Sequence, residues 1–278
     1  ARLFADTIAD GGLGCFAITE PGAGSDAASI RTTAVRDGDD YVLNGQKCWI
    51  TNGGIADIYL ISAKTDPDAG AHGISTFLVE ADREGLSHGR HEDKMGLRTS
   101  NTCDLTLNDV RVPADHLVGE EGNGFRIAMS GLDISRPFMA TIAVGMMQRA
   151  LDEAALYALQ REQFGRPIFE FQMVQDMLAR MSAKVVACRC LVQHTMKLVD
   201  EEQDVQKDGA ITKQFVTDML QDVVSDAVQV MGGNGYTKEY PVEKIMRDAK
   251  VFQIMEGTNQ IQSIVIARRL KKEYSARL

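Results

Sequence analysis

A carboxylate next to a glycine, where a helix is about to open, is the arrangement in this chain best suited to proton transfer. It lies in Ile254-Met255-Glu256-Gly257-Thr258-Asn259-Gln260-Ile261-Gln262. A positioned glutamate can serve as a general base and then contributes typically ~10²–10⁴-fold to a rate. The same carboxylate could simply complement the helix dipole, a gain of roughly 0.3–1 kcal/mol. The two readings part on whether Glu256 projects into a cavity or into water.

Two other segments carry more than fold requires. Thr19-Glu20-Pro21-Gly22-Ala23-Gly24-Ser25-Asp26 follows a strand-like run. Its proline and glycines let the backbone turn tightly and approach a ligand closely. Its hydroxyls and free N–H groups suit phosphate oxygens or other polar ligand atoms. A plain strand-to-strand loop is the alternative. A dinucleotide-binding turn is not, because G-x-G-x-x-G and its following helix are missing. Gln229-Val230-Met231-Gly232-Gly233-Asn234-Gly235-Tyr236 ends a helical run. Gly232 or Gly233 fits a helix C′ position, and the further glycines would allow close approach to another molecule. Trp49, the one tryptophan, sits in KCWITNGG. Its ring fits core packing or an interface anchor, or it could cover a planar cofactor with the Thr51 hydroxyl alongside.

Other chemistries find no support. The cysteines at 15, 48, 103, 188 and 190 and the dispersed histidines form neither a zinc spacing nor a disulfide framework. No metal site is expected, and reduced thiols in a cytosol or organelle matrix are. A net charge of −9 argues against nucleic acid or an anionic membrane surface as partner. No apolar run approaches the roughly 20 residues that cross a bilayer, and ARLFADTIADGG does not read as a signal peptide.

The elements that must hold these residues change character near residue 115. Before it, CFAIT, IRTTAV, YVLNG, KCWIT, DIYLISA, ISTFLVE and DLTL read as short strands. Asn44-Gly45 between two of them reads as a hairpin turn. With no long helices between the strands, the sheets should be largely antiparallel. After it, three apolar stripes follow helical spacing. They run from Ala143 through Met147, Ala150 and Leu151 to Ala154 and Ala158, from Val174 through Met181 to Val192, and from Phe215 through Leu220 to Val230. A shorter stripe runs through Ile261, Ile264 and Val265. The expectation is an α+β chain of two domains: an antiparallel, β-barrel-like domain over 1–115, then an antiparallel four-helix bundle over 116–278.

Together, TEPGAGSD, NGQKCWITNGG, QFGRPI, QVMGGNGYTKEYPVEKIMRDAK and EGTNQIQ, in this order, resemble the acyl-CoA dehydrogenase family, most nearly its short- to medium-chain, straight-chain branch. The resemblance runs from about Leu13 to Tyr274, without the N-terminal helical domain that the family normally carries. It implies FAD between the β domain and the helices, with Thr19 and Ser25 on the flavin side and Trp49 and Thr51 beside the ring. It implies that Arg161, Phe164 and Gln172 reach the cofactor of a neighbouring subunit, that Gln229 and Gly233 line its adenosine end, and that Thr258 and Gln260 return to it. Ser25, Asp133, Arg136 and Gly257 would contact the acyl-CoA. Without the resemblance, Arg136 reads as a bundle-surface ion pair.

The implied reaction has Glu256 remove the α-proton of the thioester while the β-hydrogen leaves as hydride to the flavin, giving the trans-2-enoyl-CoA. The thioester carbonyl would be held by the flavin ribityl chain and the base's own N–H. Electrons would pass to an electron-transferring flavoprotein. The assembly would be a homo-oligomer, a dimer of dimers, in a bacterial cytoplasm or the mitochondrial matrix. Alternatives are a dehydrogenase of a dicarboxylyl or alicyclic acyl-CoA, or a non-catalytic flavin-binding subunit needing a partner chain. The DNA-associated branch of the same fold would need a basic surface.

Overall fold

Residues 2–278 are described by a computed structural model. They divide into two compact units, one running to Lys94 and resuming over Arg98–Ser130, the other made of Met95–Leu97 with Gly131–Leu278.

The first unit opens with a helix, α1 (Arg2–Ala9), where the sequence reading passed directly to strands. Seven strands follow: β1 (Gly14–Ala17), β2 (Thr33–Asp37), β3 (Asp40–Thr51), β4 (Ile58–Lys64), β5 (Ile74–Glu80), β6 (Leu86–His88) and β7 (Thr102–Pro113). They form one sheet in the order β1-β4-β2-β3-β7-β6, with β5 on β4. The pairings are antiparallel except that β4 runs parallel to β1 and β2. Tyr41, Leu43, Ile61, Phe77, Leu105 and Val110 fill the core of this curled sheet. Ile74, at the start of β5, packs in a second cluster with Ile18, Ile30 and Ala128.

Asn44-Gly45 is not a hairpin turn. It lies inside the continuous strand β3, at a register shift against β7 between Leu43 and Gly45. A Cβ on Gly45 would stand 2.7 Å from Thr32 Cα, so close backbone approach selects glycine here. Asn44 Nδ2 donates to Asp109 Oδ1 at 2.9 Å and Asn44 Oδ1 accepts from the Asp109 backbone N–H at 2.8 Å. The hairpin is made one step earlier, where Gly38-Asp39 joins β2 to β3 with Gly38 at φ 65°.

The second unit is helical: α2 (Gly124–Gln160, its first turns in the first unit), α3 (Gln172–Asp200), α4 (Gln206–Met231), α5 (Pro241–Ala249) and α6 (Asn259–Ser275). The first three apolar stripes meet in one core through Met147, Ala150, Ala154, Met181, Val185, Leu220 and Val223. Alanines on α2 keep that face small and let the neighbouring helices come close. Phe215 departs from its expected stripe and is exposed. So does the α6 stripe: Ile264 is exposed, and the residues α6 buries are Asn259 and Gln262. Pro137 interrupts the backbone ladder of α2. Its missing N–H leaves the Asp133 carbonyl unbonded within the helix, and Gly209 at the start of α4 packs there, its would-be Cβ 3.0 Å away. No helix among the described residues is long and apolar enough to cross a membrane.

Candidate active site

In the second unit the site is built around a strained turn. Glu256 has φ 57° and Gly257 φ 82°. A left-handed backbone suits glycine but is uncommon for glutamate, and persists where the surroundings over-determine it. Helix α6 begins only at Asn259 and is capped by Thr258, whose Oγ1 accepts from the Ile261 N–H at 3.3 Å. Glu256 is therefore not the helix cap. Its carboxylate instead reaches α2, where the Ser135 hydroxyl donates to Oε2 at 2.7 Å.

The turn's carbonyls are tied down as well. Gln262 Nε2 donates to Glu256 O at 3.2 Å and to Gly257 O at 2.9 Å. Lys213 on α4 donates from Nζ to Gly257 O and to Asn259 Oδ1, both at 2.8 Å. Asn259 in turn donates to Thr217 Oγ1 and Asp218 Oδ1. Burial pushes the Lys213 ammonium down to about 8; the Glu256 carboxylate opposes that fall and Arg136 adds to it.

Next to Ser135 on α2, Arg136 is buried and paired with Asp133, one turn earlier, at 2.5 Å. Gln206 also donates to Asp133, at 3.2 Å. The surface ion pair expected from local sequence is thus a buried one. Two buried polar atoms on this network have no partner among the described residues, Arg136 Nε and Gln262 Oε1.

Elsewhere in this unit, Phe164-Gly165 turns the short hairpin β8–β9 (Glu162–Gln163, Arg166–Pro167) with both residues left-handed. Phe164 is 94% exposed. Its ring meets Phe171 edge to face, 6.0 Å between centroids, and Arg166 stacks over Phe171 at 4.3 Å. Arg161, Gln172, Gln229 and Gln260 are exposed too. Gly232 closes α4 at φ 58°, while Gly233 is exposed, with nothing near its Cα that a side chain would meet.

In the first unit, Thr19-to-Asp26 is a tight turn closed by reciprocal backbone hydrogen bonds between Glu20 and Ala23, at 3.1 and 3.0 Å. A buried network that the sequence reading missed anchors it. The Glu20 carboxylate accepts from Lys47 Nζ at 2.7 Å, Thr32 Oγ1 at 2.5 Å and the Arg31 and Thr32 N–H groups. Burial pushes the Glu20 carboxyl up, but the Lys47 ammonium and these donors outweigh it and hold the group below its ordinary value. The alternating Glu20, Thr32 and Lys47 of separate runs give no local signal of this meeting. Two residues past Lys47 a second register shift turns Trp49 outward, 62% exposed at φ 61°. A tryptophan in this conformation is neither core packing nor relaxed backbone. The hydroxyls of Thr19, Ser25 and Thr51 make no hydrogen bond within the described residues, and Gly22 and Gly24 leave open space about the turn.

Residues 15–110 match the family described as acyl-CoA dehydrogenase, middle domain, and residues 122–271 match acyl-CoA dehydrogenase, C-terminal domain. The chain is 49% identical over 263 residues to a probable acyl-CoA dehydrogenase, fadE25, of Mycobacterium leprae, covering 94% of this chain and 68% of that protein. It is 49% identical over 256 residues to the cyclohex-1-ene-1-carbonyl-CoA dehydrogenase of Syntrophus aciditrophicus, covering 92% and 62%. The fold superimposes on butyryl-CoA dehydrogenase from Megasphaera elsdenii with a TM-score of 0.95 and 44% identity, over 97% of this chain and 70% of that one. A chain solved in work on the electron-transferring flavoprotein of Acidaminococcus fermentans matches with TM-score 0.95 and 47% identity, over 97% and 71%.

Proposed function

Because the chain belongs to the acyl-CoA dehydrogenase family, oxidoreductases acting on CH–CH bonds with FAD, we propose that it dehydrogenates a straight-chain acyl-CoA to the trans-2-enoyl-CoA with Glu256 as the base. The observation that carries this is the Glu256 turn. Its carboxylate is oriented by Ser135, relieved of any capping role by Thr258, and held on strained backbone. Strain of this kind gathers at functional sites.

The residues of the first unit fit a flavin. Trp49 offers an outward ring face, and Thr19, Ser25 and Thr51 offer hydroxyls that no other group among the described residues uses. When bound, FAD supplies the acceptor for the substrate's β-hydrogen. The chain's own part is to position and to move a proton. Glu256 takes the α-proton. Its backbone N–H donates to the thioester carbonyl, where negative charge develops as that proton leaves. Asp133, Arg136, Ser25 and Gly257 hold the CoA ester. Thr258 and Gln260 hold the cofactor beyond the base. Arg161, Phe164, Gln172, Gln229 and Gly233 serve the cofactor of a neighbouring copy in a dimer of dimers. An exposed left-handed phenylalanine supports that assignment better than a role within the chain.

Electrons then pass to an electron-transferring flavoprotein, a reading supported by the likeness to the chain from the Acidaminococcus fermentans work. An alicyclic substrate is the second reading, favoured by the relative from Syntrophus aciditrophicus. Turnover of a panel from butyryl- to palmitoyl-CoA, with cyclohex-1-ene-1-carbonyl-CoA beside it and electron-transferring flavoprotein as acceptor, tests both. Straight-chain preference is expected. Preference for the ring would transfer the assignment to the alicyclic class, and no turnover with any of them would overturn both.

A further inference from the structure

We propose that Lys213 is a positioning residue for the catalytic turn, clamping Gly257 so that Glu256 keeps its left-handed conformation and its carboxylate stays on Ser135. The proposal rests on the reading of Glu256 as the base.

Lys213 is fully buried on α4. Among the described residues, no carboxylate lies within ion-pair distance of its Nζ. A buried ammonium without a counter-ion is costly, and an apolar side chain would occupy the same place in the core more favourably. Two acceptors are what the ammonium has instead: the Gly257 carbonyl and Asn259 Oδ1, both at 2.8 Å. One belongs to the turn and the other to the first residue of α6. Lys213 thus fixes the hinge between base and helix from both sides.

Gln262 reinforces the same point, donating to the carbonyls of both Glu256 and Gly257. Its amide packs so near that a Cβ on Gly257 would meet Nε2 at 2.6 Å. Two side chains from two helices therefore converge on two consecutive carbonyls. Convergence of this kind is what keeps a non-glycine residue in the left-handed region. The depressed Lys213 ammonium accords with a group held in the interior for its geometry.

The test compares Lys213→Met with wild type in the flavin-loaded full chain. It reads kcat, KM for acyl-CoA, and amide hydrogen exchange of the peptide over residues 254–262. The clamp predicts a kcat at least about tenfold lower, the effect of losing roughly 1.4 kcal/mol of transition-state positioning. KM should stay within about threefold, and exchange should be faster over 254–262 but unchanged in α3. A merely structural lysine would loosen α4 and the bundle together. Should the methionine variant not fold, Lys213→Gln carries the test. Glutamine is neutral and too short to reach both acceptors, so it too should loosen 254–262 and lower kcat. Wild-type kcat and wild-type exchange in either variant would overturn the proposal. Glu256→Gln runs alongside: if it turns over, the base assignment falls and this proposal with it. If it is inactive while the lysine variants behave as wild type, this proposal alone falls.

Discussion

Ser135 and Glu256, 121 residues apart in the chain, meet through a 2.7 Å hydrogen bond from the serine hydroxyl to Oε2 of the glutamate. The bond joins helix α2 to the turn that precedes α6 and sets which way the carboxylate faces. Hydrogen bonds to charged groups contribute about 1.5–3 kcal/mol. Ser135→Ala should therefore lower kcat by about tenfold with flavin content unchanged, and Ser135→Thr should recover most of it. Equal kcat in the alanine variant and wild type would remove Ser135 from the account.

The turn also depends on Thr258. An N-cap threonine replaced by alanine costs about 1 kcal/mol, which in a chain this size lowers Tm by roughly 2–4 °C. Thr258→Ala should show that shift and Thr258→Ser should not. Differential scanning calorimetry reads it directly. A kcat loss larger than the stability loss explains would show that α6 frays back from the base.

Trp49 separates strain from packing. Glycine tolerates φ 61° without penalty, so Trp49→Gly should leave the thermal stability of the apoprotein equal or slightly higher. Flavin affinity should fall by roughly two- to twelvefold, in line with the ~0.5–1.5 kcal/mol of an aromatic stacking contact. Dialysis followed by flavin absorbance gives the second number. A destabilised apoprotein with unchanged flavin affinity would make Trp49 a structural residue.

The Glu20–Lys47 pair gives the chain an acid-sensitive contribution to stability. Its carboxyl is held below its ordinary value of 4.5. The contribution is present above about that pH and is lost as pH falls through the lower folded-state value. Melting from pH 7 downward should show wild type losing more stability than Glu20→Leu/Lys47→Met, which has no such group to protonate. The single variant Glu20→Ala leaves the lysine buried alone and should lose about 3–5 kcal/mol at neutral pH.

The sequence shows the helices of the second unit plainly because Met147, Met181 and Leu220 repeat at helical spacing and all reach one core. It marks candidate sites because Pro21-Gly22 follows a strand-like run and Glu256-Gly257 precedes the last helical one. What periodicity cannot show is which long-range contact wins. Asn44-Gly45 carries the local chemistry of a turn, yet Thr32 pressing on Gly45 and Asp109 pairing with Asn44 keep it within a strand. Ile261, Ile264 and Val265 promise an apolar face for α6, yet the helix turns Asn259 and Gln262 inward because Lys213, Thr217 and Asp218 are there to receive Asn259 and the turn's carbonyls there to receive Gln262. Lys213 itself sits in an apolar-periodic helix with nothing nearby in sequence to mark it. The buried polar networks behind both candidate sites are tertiary facts, joined across tens of residues, and no local pattern encodes them.

The most direct test of the central claim is the anaerobic flavin spectrum during titration with straight-chain acyl-CoAs, wild type against Glu256→Gln. With Glu256 as the base, wild-type flavin bleaches with at least one chain length, while the glutamine variant retains its flavin, binds the same ester and stays oxidised. Bleaching of the glutamine variant at the wild-type rate would contradict the assignment and place proton abstraction on another group.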